Sequence, residues 1–130
     1  MNSAFAFPLI QESMIVGKVK PMKIYVAGPY SRGDTIMNVR GAILAAEEII
    51  KKGHVPYIPH LTAFWHLVAP HEYKFWLEYD FEWLDTCDAL YRIPGESAGA
   101  ELEVDFMRNL GRPVYEKLED IPVWDENLPI

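Results

Sequence analysis

The chain has 130 residues, half of them hydrophobic, and a formal net charge of −7. That length and composition suit one domain with one core and leave no room for a second. The acidic balance excludes a general binder of nucleic-acid polymers, because a polyanion calls for a basic face. Cys87 is the only cysteine, so no internal disulfide can form and a cytoplasmic location is expected. No apolar run approaches the roughly 18 residues of a membrane span, so no membrane partner is expected. No basic stretch followed by an apolar one marks a secretory leader.

Residues 1–21 have mixed polarity, no sustained period and prolines at Pro8 and Pro21, and are expected to form a poorly ordered arm. The domain is expected to run from Met22 to the end of the chain. Lys23 to Ala27 favours a strand that stops at the turn signal Gly28-Pro29. Thr35 to Lys52 places Ile36, Val39, Ile43, Ala46, Ile49 and Ile50 near helical spacing and ends in Lys51, Lys52 and Gly53, a helix stop. His54 to Pro59 is a second strand with irregular, proline-marked ends. The aromatic segment from His60 to Trp76, broken by Pro70, predicts a loop with a short helical piece. Glu72 to Thr86 predicts a helix burying Phe75, Tyr79 and Leu84. Cys87 to Ile93 is a third strand. Ser97 then suits the N-cap of a helix reaching Leu110 and stopped by Gly111. Arg112 to Tyr115 is a fourth strand.

Alternation of this kind implies a single Rossmann- or flavodoxin-like α/β domain, with a parallel sheet of four or five strands flanked by helices. Ligands of such folds bind beyond the carboxyl ends of the strands, at the topological switch point. Two loops therefore matter most: Gly28 to Asp34 after the first strand and Pro94 to Gly99 after the third.

The stretch PGESAGAELEVDF carries the most chemistry. It leads a glycine-containing turn into a helix N-terminus, where free backbone N–H groups and the helix dipole favour an anion. Ser97 can cap that helix or donate its hydroxyl, and Gly99 allows close approach to the backbone. Glu103 lies in the second turn. On spacing alone, acids this early in a helix are equally well explained as partners of the dipole.

Here the sequence resembles a family. Ser97-x-Gly99-x-x-x-Glu103, followed by Gly111-x-Pro113-Val114, is similar to the signature of the nucleoside 2-deoxyribosyltransferase-like proteins, which include deoxynucleoside 5′-monophosphate N-glycosidases. Ile24-Tyr25-Val26-Ala27-Gly28-Pro29 resembles that family's first strand and loop. Asp80-x-x-Trp83-Leu84-x-x-x-Asp88 resembles its helix-to-strand segment with the accessory carboxylate. The likeness spans about Met22 to Tyr115. It implies that Glu103 attacks the anomeric carbon, that Asp80 delivers a proton or orients the sugar, and that Tyr25 positions the nucleophile. It also implies a small nucleoside or nucleotide as partner, no cofactor, and a homo-oligomer whose subunits complete one another's sites. Packing in the core explains Tyr25 almost as well, given the β-preference of tyrosine.

Ser97, where the transferases often carry Asp or Asn, tilts the resemblance toward a 5′-monophosphate. Ser31 and Arg32 in the first loop are suited to phosphate, although this loop follows neither subgroup cleanly. His60 and Trp65, after the second strand, are candidates to line a base pocket by stacking, with core or subunit packing as the competing account of the aromatics. His54, His60, His66 and His71 match no compact zinc spacing, so no metal is expected. Cys87 is expected to be a buried apolar residue. Two rivals stand beside the leading reading. One is a phosphoribohydrolase-like hydrolase, whose Pro-Gly-Gly-x-Gly-Thr loop is only loosely echoed by Pro94-Gly95 and Gly99. The other is a non-catalytic nucleotide sensor on the same fold.

Overall fold

The computed structural model describes residues 20–124. The arm expected over residues 1–21 lies outside them up to residue 19. Four parallel strands form the sheet: β1 (Lys23–Ala27), β2 (Val55–Tyr57), β3 (Ala89–Arg92) and β4 (Val114–Tyr115), in the order β2-β1-β3-β4. Between them run α1 (Thr35–Lys51), α2 (Thr62–Val68), α3 (Tyr73–Leu84) and α4 (Ala98–Asn109), with short 3₁₀ turns at Pro59–Leu61 and Leu118–Asp120. Each strand found lies within a segment that favoured one. No described helix is long and apolar enough to cross a membrane.

The period of two along β1 assigns its side chains to two cores. Ile24 and Val26 join Ala42, Ala45 and Ile49 of α1 on one face. Tyr25 and Ala27 turn to the other face, among Leu84, Ala100, Val104 and Met107 of α3 and α4. Strand β1 is thus buried on both sides, as a central strand of a doubly wound sheet must be. Because β1 pairs with β3, with Ala27 opposite Arg92, the loops leaving these two strands lie side by side at the switch point.

Two burial patterns differ from expectation. The α1 face on the sheet is Ala42, Ala45, Ala46 and Ile49, a clean i, i+3, i+4, i+7 stripe, while Ile36 is 79% exposed and Ile43 is exposed as well. Small side chains let the helix sit close to the strands, and Ile36 and Ile43 fall outside the buried stripe. In α3 only Leu84 is fully buried. Phe75 is exposed and stacks on His71 and Tyr79, because α3 packs its C-terminal end on the core and leaves its N-terminal turns beside the site.

At the opposite edge, His54 ties the two ends of the described chain together. It is 1% exposed, accepts the Met22 N–H at Nδ1 (3.0 Å), and donates from Nε2 to the Pro122 carbonyl (2.6 Å). Lys52 reinforces this clasp through its Nζ to the Ile121 carbonyl and its own carbonyl to the Trp124 N–H. Burial lowers the His54 pKa, since the imidazolium would lose its water, and Nδ1 must stay bare to accept. A depressed basic pKa gives stability that is present above the unfolded value of about 6.5 and is lost as pH falls through the folded one. His54→Gln should therefore lower the melting temperature at pH 7, by about 1–3 kcal/mol in stability. The gap to wild type should narrow toward pH 5. Parallel melting curves across that range check it, and an unchanged gap overturns it.

Candidate active site

The two switch-point loops are locked together by what glycine lacks. A Cβ on Gly28 would stand 2.8 Å from the Cβ of Ile93. Gly95, at φ +127°, would drive one to 2.7 Å from Pro29. Only glycine accommodates both the contact and the positive φ. Arg92 fixes the second loop from beneath: its guanidinium donates to the carbonyls of Ile93 (2.5 Å) and Gly95 (2.9 Å) and to Glu101 (3.0 Å). Sequence reasoning passed over Arg92, because an arginine ending a strand carries no motif.

Above these loops opens a cavity of about 810 Å³, within the range that holds a small ligand. Of the residues singled out from sequence, Gly28, Ser31, Arg32, His60, Asp80, Ser97, Gly99 and Glu103 line it. Tyr25 lies directly behind Glu103. Trp65 does not line the cavity. It stands outside, 48% exposed, with its ring edge-on to Trp76 and Tyr79. The indole that faces the cavity is Trp76, whose Nε1–H donates to His66 Nδ1 at 2.8 Å. Tyr73, His66 and His71 complete that wall. Helical register could have shown this: Trp76 and Asp80 are four apart and share one face of α3, whereas Trp65 belongs to a different helix.

Ser97 caps α4 as expected, accepting the Ala100 N–H at 3.1 Å from an extended backbone. That role uses the oxygen and leaves the hydroxyl hydrogen as a donor. One turn on, the buried face of α4 reads Ala100, Glu103, Val104, Met107. An acid thus occupies an apolar stripe, 6% exposed, where an ionised carboxylate is costly without a partner. Its partner is the Tyr25 hydroxyl, which donates to Glu103 Oε2. The pairing follows from strand alternation, which turns Tyr25 and not Ile24 toward α4.

Asp80 comes from α3, two-thirds of the way along the helix, and its Oδ1 is buried without a protein partner. Burial pushes Asp80 up to about 7. Glu103 rises to about 8, chiefly by burial, with the Tyr25 hydrogen bond pulling it down and the Asp80 charge pushing it up. The site therefore holds two carboxyl groups that exchange protons near neutrality, a property that marks acid–base and nucleophilic centres. Tyr25 itself is held well above its ordinary value by burial and by both acids, so it stays a hydroxyl and donates to Glu103. Asp88, by contrast, accepts the Lys23 N–H at the opposite end of the strands and takes no part here.

His60 is 3% exposed and its Nε2 lies 2.9 Å from the Pro29 carbonyl. A carbonyl only accepts, so the proton sits on Nε2 and Nδ1 is a bare, buried acceptor with no protein partner. Burial lowers its pKa and keeps the ring neutral. His60 lines the cavity, and its ring is met edge-on by Tyr30 with the centroids 6.1 Å apart.

The fold is shared with a 2-deoxyribosyltransferase of the psychrotolerant bacterium Bacillus psychrosaccharolyticus, described as a biocatalyst for nucleoside synthesis. The two superpose with a TM-score of 0.54 at 19% identity, over 80% of this chain and 93% of that one. At that identity the likeness is one of fold. No curated protein matches the chain in sequence. A family model covers residues 22–117, most of the chain and every residue of the site just described, and on that match the chain belongs to the family described as Domain of unknown function (DUF7768).

Proposed function

We propose that the protein cleaves or exchanges the N-glycosidic bond of a deoxynucleoside, nucleoside or its 5′-monophosphate. The observation that carries this reading is Glu103: a carboxylate set into the apolar stripe of α4, held by Tyr25, beside a second raised carboxyl at the base of a nucleoside-sized cavity. Glu103 attacks the anomeric carbon as the C1′–N bond breaks, and the electron pair leaves with the base. Asp80 protonates that base. The glycosyl ester on Glu103 then yields its sugar to water or to a second base, whose proton returns to Asp80. The fold shared with a 2-deoxyribosyltransferase supports the same reading. The test is to incubate the protein with a panel of nucleosides and 5′-monophosphates and to measure free base by chromatography. Release from at least one is expected, and release from none would remove the proposal.

The active form is a homo-oligomer. The support lies in α2 and the turn before it, where Leu61, Phe64, Leu67 and Val68 are exposed, Phe64 by 77% and Val68 by 87%. A run of exposed large apolar side chains on one short helix beside the site is what an interface leaves on a single subunit. Sedimentation equilibrium at micromolar concentrations should return a mass above 15.0 kDa. A monomer that releases base at full rate would sink the shared assembly.

A further inference from the structure

Resting on the reading above, the geometry points to an uncharged nucleoside, not its 5′-monophosphate, as the ligand, with Glu96 as the residue that sets this preference. Among the described residues lining the cavity, Arg32 is the one lysine or arginine, against three carboxyl groups, Asp80, Glu96 and Glu103. That single guanidinium is already engaged: Arg32 pairs with Glu96 across the cavity mouth, from the loop after β1 to the loop after β3. Glu96 immediately precedes Ser97, so its charge stands beside the helix N-terminus that would otherwise receive a phosphate. The other arginine nearby, Arg92, is spent on Glu101 and on the loop carbonyls and does not line the cavity.

A phosphate dianion entering here would have to displace Glu96 from Arg32 and then remain near the displaced carboxylate. The Arg32–Glu96 pair is weak in itself, since both side chains are mostly exposed. Its strength is not what matters. Glu96 adjoins the N-cap Ser97 whether or not the pair is closed, so its charge stays near the α4 N-terminus and opposes the attraction of Arg32, the one lysine or arginine among the described residues lining the cavity. A neutral sugar hydroxyl meets no such opposition. It finds an acceptor in Glu96 and a donor in the Ser97 hydroxyl, both of them residues of the cavity wall. Ser97 therefore serves a hydroxyl where the resemblance pointed to a phosphate.

The test is equilibrium binding, by calorimetry, of the common 2′-deoxynucleosides, each against its own 5′-monophosphate. It uses wild type, Glu96→Gln and the double variant Arg32→Gln/Glu96→Gln, at about 50 mM and about 500 mM salt. Wild type should bind the preferred nucleoside at least tenfold more tightly than its monophosphate. Glu96→Gln should shift that ratio toward the monophosphate by about tenfold at low salt and by less at high salt, as expected for removing one like charge. Adding Arg32→Gln should cancel the shift. A wild-type preference for the monophosphate, or a ratio unmoved by Glu96→Gln, overturns the assignment. Base release is followed in the same samples. Binding without release would sink the glycosidic reading and leave the charge preference standing, whereas no binding of either ligand to wild type sinks both.

Discussion

Glu103→Gln should abolish base release, by more than about 1000-fold, and at the same time unfold at a higher temperature than wild type at pH 8. The loss of activity follows from removing the nucleophile. An amide oxygen cannot carry the glycosyl group, and no other buried carboxyl lies in the α4 stripe to replace it. The gain in stability follows from linkage. A carboxyl whose pKa is raised in the folded state favours folding while it is protonated; that contribution is complete below the unfolded value of about 4.3 and is lost as pH rises through the folded value, here about 8. At pH 8 wild type therefore holds a partly ionised acid in an apolar stripe, which glutamine of the same shape relieves while still accepting from Tyr25. The gap should reach roughly 1–3 kcal/mol, about 5–15 °C for a domain of this size, and should close toward pH 5. Calorimetric melting of both proteins at pH 5 and pH 8 measures it. A variant that is less stable than wild type at pH 8 would mean that Glu103 is a structural anchor and not a strained functional group. Near-full base release by Glu103→Gln or Glu103→Ala would remove the mechanism outright.

Such trade-offs are where sequence patterns and function part company, and this chain shows both sides. The elements were legible because their signals are local. Gly28-Pro29 ends β1, Ser97 caps α4, and strands lie within each segment that favoured them. Glu103 was visible through its spacing from Ser97, but its meaning was not. Spacing cannot distinguish an acid that complements a helix dipole from one buried in an apolar stripe, because that depends on what α4 packs against. Tyr25 posed the same ambiguity, resolved by strand parity: it faces α4 and its hydroxyl reaches Glu103. Trp65 lies outside the cavity because the indole on α3, Trp76, takes the cavity face and Trp65 packs edge-on against it. The buried stripe of α1 was only half legible, with Ala46 and Ile49 in the periodic set and Ala42 and Ala45 outside it. Isoleucines weigh more than alanines in any hydrophobic count, yet close packing of helix on sheet favours the small residue. Glu96 was legible only as a turn residue standing where a phosphoribohydrolase loop has glycine, because its relation to Arg32 comes from the loop across the mouth.

A bell-shaped pH dependence of kcat/KM, with its maximum between about pH 7 and about pH 8, is the second large effect expected. The reactive arrangement needs one proton on the pair: charge on Glu103 for attack, a proton on Asp80 for the departing base. Below this window both acids are protonated and there is no nucleophile, and above it both are ionised and there is no acid. Two buried carboxyls this close in influence titrate as a unit, so the two limbs belong to the pair. Before substrate arrives the shared proton rests mainly on Glu103, the higher of the two, and the Tyr25 hydroxyl narrows that gap by stabilising the Glu103 carboxylate. Tyr25→Phe should accordingly lower kcat/KM by about 10–100-fold, the worth of one hydrogen bond to a charged group, and move the alkaline limb to higher pH. Asp80→Asn should act differently. It should cost about 100–10,000-fold, erase the alkaline limb, and leave one ionisation, that of Glu103, at a pH below about 8 because the like charge that raises it is gone. Initial rates of base release from pH 4 to 9 for the three proteins separate these outcomes. A wild-type rate that stays flat from about pH 4 to 8 would take the proton donor out of the mechanism, and identical profiles for Tyr25→Phe and Asp80→Asn would deny the two residues distinct roles.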